Sequence, residues 1–233
     1  MAAKTPFRLR HAALLAGVLL LGIGASALAL SMPFWLLPRQ WFASPWIGAV
    51  THTTMWVISL LLSLLFTRGH LACHGYSLSG YRFKPRILLW ALPMATVSTL
   101  GFLLAGPQQM TVAWHSCIKD ILFVWIYASI CEELLTRGLL QSLLAPLRAF
   151  GIAFGKKRFL SLPVLFSGIF FGMMHIVAVP KMGPAVLVFT TFCGLVAAYY
   201  REKTGSLVPA VIIHSLFNIG GVLPAWLLYC LLA

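Results

Sequence analysis

Residues Ile130–Leu140 read ICEELLTRGLL. They place two adjacent carboxylates, Glu132 and Glu133, and one guanidinium, Arg137, in an otherwise apolar segment, with DILFVWIYASI on one side and GLLQSLLAPL on the other. The chain has only four acidic residues, and two of them are neighbours here. An ionisable group at membrane depth costs on the order of 3 kcal/mol, so it persists where it has a partner or work to do. On a helix Glu133 and Arg137 stand four residues apart, share a face and can pair. Glu132 points about 100° away. One carboxylate can then be neutralised while its neighbour faces a cavity, which suits a general base. The plainer reading is an ion pair that only staples two helices.

Composition sets the surroundings. The chain has 233 residues, 61% of them hydrophobic and only 9% charged. That excludes a water-soluble domain and points to an all-α polytopic membrane bundle. The formal net charge of +13 would suggest nucleic acid in a soluble protein. Here the cations lie in short segments between apolar runs, and no nucleic-acid motif is present, so no nucleic-acid partner is expected. The five cysteines show no CxxC spacing, and most sit in apolar runs, where packing is their expected role.

Eight apolar runs follow in order: Ala12 to about Leu37, Pro45–Phe66, Ile87–Ala105, Val112 through the EELLTR stretch, Leu160–Val179, Pro184–Tyr200, Leu207–Ile219, and Val222 to the C-terminus. The first three (residues 1–110) form an N-terminal part of the bundle, and residues 111–233 its catalytic core. If the N-terminus lies inside and every run crosses, thirteen of the 17 cations are inside, while Arg39 and Lys181 alone are outside. That asymmetry predicts about eight spans with both termini in the cytoplasm. It also places the carboxylate pair toward the cytoplasmic end of its helix, in a multi-pass protein of a prokaryotic cytoplasmic membrane. His70 and His74 lie in a basic loop and are expected to be solvated or lipid-facing, and His52 and His115 match no motif.

The pair has prospective partners. His175 ends the stretch Phe171-Gly172-Met173-Met174-His175, and His214 and Asn218 stand four apart in HSLFN, on one helix face. Gly168 with Gly172, and Gly194 with Ala198, are small-xxx-small pairs that let helices approach closely. Three helices can thus bring Glu, His, His and Asn into one buried cluster. A hydrogen-bonded core histidine remains the bland alternative for each imidazole.

EELLTR fits EExxxR, FGMMH fits FxxxH and HSLFN fits HxxxN, in that order, with Thr204-Gly205-Ser206-Leu207 before the last. Over about residues 115–220 the chain resembles the CPBP family, the type II CAAX prenyl endopeptidases and their bacterial relatives, also called the Abi family. The resemblance implies an intramembrane protease of roughly eight helices. It implies Glu132 as base holding the nucleophilic water with His175, and His214 and Asn218 as stabilisers of the oxyanion. Glu133 and Arg137 would support them. Peptide hydrolysis needs such an activated water and donors aimed at the developing charge.

Family members have also been described as metalloproteases, so Glu132, Glu133, His175 and His214 are candidate zinc ligands. No HExxH motif is present, and a cofactor-free mechanism is the expectation. The partners implied are the lipid bilayer and a membrane-associated protein or peptide substrate: a prenylated tail, a leader peptide, a sorting tail or a membrane-bound regulator. The alternative from another class is a non-enzymatic membrane protein, with an immunity or scaffolding role or a proton or ion path. The chain shows no internal repeat of the transporter kind.

Overall fold

The structure, a computed structural model, describes residues 7–42, 46–76, 87–105, 120–154, 157–178 and 183–232. Arg82, Lys84, Arg86, Lys119, Lys181, His115 and the stretch 106–109 between the third and fourth apolar runs lie outside them.

The described residues form seven helices: α1 (Leu9–Leu36), α2 (Trp46–Thr67), α3 (Leu88–Ala105), α4 (residues 120–143), α5 (Leu162–Ala178), α6 (Gly183–Thr204) and α7 (Val208–Leu232). Among the described residues three helices are long and apolar enough to cross a membrane: Leu9–Leu36, Ile47–Thr67 and Pro184–Thr204. Shorter apolar stretches occupy α3, α5 and α7. α1 and α2 keep Leu20, Trp35, Leu61 and Leu65 exposed, as lipid-facing surfaces do.

Two expectations are corrected. The seventh and eighth runs are one helix, α7. Gly220-Gly221 looks like a break in the sequence, but a side chain at Gly220 would overlap the backbone of Ala95 on α3. The glycine serves close helix contact rather than chain reversal. The structure also holds an antiparallel hairpin, β1 (Gly151–Phe154) with β2 (Lys157–Ser161), where only a basic connection was expected.

α4 is not a regular α-helix. Asp120–Ala128 and Leu134–Leu140 are π-helical, and the α-helical turn Ser129–Glu133 lies between them, carrying both carboxylates. Wide turns of this kind recur at functional sites.

Two apolar clusters flank this helix. The first joins Val18 and Ala29 of α1, Met55 of α2, Leu135 and Leu139 of α4, and Phe170 and Met174 of α5. The second joins Ala91 and Met94 of α3, Cys193 and Ala197 of α6, and Ile213 and Phe217 of α7. α4 therefore turns its leucines to the first cluster. It turns Arg137 and Gln141 to α6, where they donate to the carbonyls of Gly194 and Ala198 at 3.0 and 2.9 Å. A Cβ at Gly194 would lie 2.9 Å from the Gly168 carbonyl oxygen, so the small residues seat α6 against α5 as expected.

The 3-10 turn Leu71–His74 follows α2. His70 is exposed, but His74 is buried, with Nδ1 3.0 Å from Ser63 Oγ, which corrects the solvated reading. Burial, and then the nearby Arg201 guanidinium, hold His74 below the ordinary imidazole range. Burial pushes the neighbouring Tyr76 phenol up. The Tyr76 hydroxyl lies 3.0 Å from Ser63 Oγ and 3.4 Å from the Leu134 carbonyl, joining the turn to α4.

Candidate active site

The i, i+4 spacing on α4 delivers the pair that local geometry predicts. Arg137 Nη1 donates to Glu133 Oε1 at 2.7 Å, and both side chains are wholly buried. The guanidinium also donates to Thr136 Oγ1 at 2.7 Å and stands 4.4 Å over the Phe171 ring. A buried charge needs this many partners. Phe171 touches the imidazoles of His175 and His214 as well, with centroids 4.4 and 5.0 Å away. It is the first residue of the FxxxH motif, and from α5 it packs against Arg137 of α4 and His214 of α7.

Glu132 faces the other way, as the 100° offset requires. Its side chain keeps 11% exposure, against none for Glu133, so it is the carboxylate a substrate can meet. His175 Nε2 lies 3.4 Å from its Oε2 and His214 Nε2 lies 3.9 Å from the same oxygen. That oxygen is buried and has no hydrogen-bond partner among the described residues. An orphaned buried carboxylate oxygen faced by two imidazoles is a place where a polar ligand gains a great deal.

Each imidazole is oriented from behind. The Phe171 carbonyl, 2.9 Å from His175 Nδ1, can only accept, so Nδ1 carries the proton and Nε2 turns to Glu132. His214 Nδ1 donates to Glu133 Oε1 at 3.0 Å. Glu133 therefore ties together the guanidinium of its own helix and an imidazole of α7.

Asn218 reaches α4, but not the carboxylates. Its amide donates to the Val124 carbonyl and to Ser129 Oγ, both at 3.0 Å, which commits both amide hydrogens. Cys131 is buried beside Glu132, and its packing role needs no revision.

The structure adds one residue to those the motifs marked. His52 of α2 places Nε2 3.0 Å from Glu132 Oε1. Its only signal in the sequence is the polar run Thr51-His52-Thr53-Thr54 within an apolar span.

As for zinc, Glu133 Oε1 is already shared by Arg137 and His214, which occupies that oxygen but leaves His214 Nε2 facing Glu132. Among the described residues no group of three or more His, Cys, Asp or Glu side chains is disposed to hold a metal ion.

On the opposite face of α5, Met173 and Met174 line an apolar groove of about 890 Å³ against α1, with Leu19, Ile23, Phe166 and Phe170. Met173 thus borders a groove rather than filling the core.

Residues 114–220 match the family model for type II CAAX prenyl endopeptidase Rce1-like proteins. The resemblance read from the three motifs is borne out over that segment, which contains Glu132, Glu133, Arg137, His175, His214 and Asn218 but not His52. Searches of curated proteins and of solved structures return no match.

Proposed function

We propose that this chain, whose residues 114–220 carry the prenyl endopeptidase match, is an intramembrane endopeptidase that hydrolyses a peptide bond of a membrane-associated protein or peptide. One observation carries the reading. Glu132 Oε2 is buried, lacks a hydrogen-bond partner among the described residues and faces the Nε2 atoms of His175 and His214.

In the proposed reaction a water bridges Glu132 Oε2 and His175 Nε2 from one side of the pair, because the two atoms stand only 3.4 Å apart. Oε2 takes one proton from it while its oxygen attacks the scissile carbonyl carbon. The carbonyl π electrons move to oxygen, giving an oxyanion. His214, with a second proton on Nε2, donates to that oxyanion. Asn218 joins it by turning one amide hydrogen away from Ser129. The C–N bond then breaks, and the proton held by Glu132 passes to the leaving amine. Every step uses the chain's own residues. The proposed orientation, with the N-terminus inside, puts the site nearer the cytoplasmic face.

The test compares protein termini in membranes of cells expressing wild type and Glu132→Gln at equal abundance. New C-termini or N-termini present only with wild type are expected. Identical termini in the two strains would sink the protease reading and leave the cluster as a helix staple or a proton path.

A further inference from the structure

His52 belongs to α2, outside the segment that the family match covers, yet among the described residues it makes the shortest contact of any imidazole with Glu132. Its ring is fixed at both ends. Nδ1 lies 2.6 Å from the carbonyl oxygen of Gly48, one turn earlier on the same helix. A carbonyl oxygen only accepts, so Nδ1 carries a proton. Nε2 then meets Glu132 Oε1 at 3.0 Å. Two bare acceptors at that distance repel. A contact this short between a ring nitrogen and a carboxylate oxygen needs a proton between them, and Nδ1 cannot supply it.

We propose that His52 is the positioning residue of Glu132. Its Nε2–H holds Oε1, so that Oε2 alone faces His175 and His214 and does the proton transfer. The division of labour follows from the two oxygens. Oε1 has a hydrogen bond, and Oε2 has none among the described residues. Without His52 the carboxylate can rotate about its last torsion and exchange the two oxygens. A proton on Nε2 also places a positive charge beside the carboxylate while it waits for its water. After Oε2 has taken the proton from water, the imidazolium remains at Oε1, and the carboxylic acid gives its proton to the leaving amine. No proton is gained or lost at His52 over the cycle.

The neighbours agree with this role. Thr53, beside His52, bonds the Tyr127 hydroxyl at 2.7 Å, which locks α2 to α4 next to the contact. The titratable groups around the pair are Tyr127 and Cys131 on α4, His175 on α5 and His214 on α7. The neutralised Glu133–Arg137 pair lies behind. The side chain of His52 is 22% exposed, so it borders the open side of the site rather than the sealed core.

The inference rests on Glu132 as the base, and its test separates the two claims. ¹⁵N-histidine NMR of the full protein in lipid reads the ring protonation of His52 without any substrate. Two protonated ring nitrogens are expected in wild type, and one in Glu132→Gln. An identical His52 spectrum in both overturns the proposal.

Turnover is read with a quenched fluorescent farnesylated CAAX peptide in liposomes. His52→Ala is expected to lower kcat about 10- to 100-fold, the usual cost of losing an outer orienting partner, with KM changed less than about two-fold. His52→Gln, whose amide N–H reaches Oε1, is expected to restore most of it, and its pH–rate profile to lose the limb that belongs to the shared proton. Wild-type kcat and an unchanged profile in both variants would overturn the proposal. Failure of wild type to cut the peptide, with the His52 proton present by NMR, counts against the protease reading for that substrate and leaves the contact standing.

Discussion

His214 Nδ1 donates to Glu133 Oε1 at 3.0 Å. The same oxygen accepts from Arg137, so the second carboxylate of the EE pair anchors α7 to α4 and aims His214 Nε2 at the first. The neighbours differ in work because they differ in exposure. Glu133 is sealed and neutralised, and Glu132 keeps a small exposed edge.

Glu133→Ala should therefore act on stability as well as on activity. It leaves the wholly buried Arg137 without its counter-charge, a loss of about 3–5 kcal/mol for a broken buried pair. Thermal unfolding in micelles should show a large fall in Tm. Glu132→Gln, at a partly open position, should lower Tm far less. Equal shifts in the two variants would contradict the division.

Gly194→Val should loosen the contact of α5 and α6. Its Cβ would stand 2.9 Å from the Gly168 carbonyl and 3.1 Å from Arg137 Nη2, so two helices must part or the guanidinium must move. An overpacking cost of about 1–3 kcal/mol is expected. Gly17→Ala, with open space around its Cβ, is the control and should be neutral or slightly stabilising. A native Tm in Gly194→Val would show that the helices do not meet there.

The His74 imidazole is held down by burial and by Arg201. Its folded form binds a proton less readily than the unfolded chain does. The stability this contributes is complete above the unfolded value, about 6.5, and is lost as pH falls below it. Unfolding temperature should drop between about pH 7 and 5 in wild type and drop less in His74→Gln. Parallel curves would remove His74 as the cause.

Metal removal offers another check. With the proposed mechanism carried by side chains alone, cleavage of the farnesylated peptide should survive strong chelation and a metal-free preparation. Loss of cleavage that one equivalent of zinc restores would replace that mechanism.

The amino-acid sequence by itself determined the features that rest on local spacing and composition. The apolar runs required helices in a membrane. The four-residue interval placed Glu133 on Arg137, because helix pitch alone brings those side chains together. The three motifs named the helices that meet, and Gly168 and Gly194 marked where two of them touch. Only the tertiary structure decided the rest. Gly220-Gly221 could be a break or a contact surface, and the backbone of Ala95 is what makes it the latter. His52 and Glu132 lie 80 residues apart with no shared period or motif. Their contact exists because α2 packs along α4, and the polar run around His52 marks the residue but not the partner it meets.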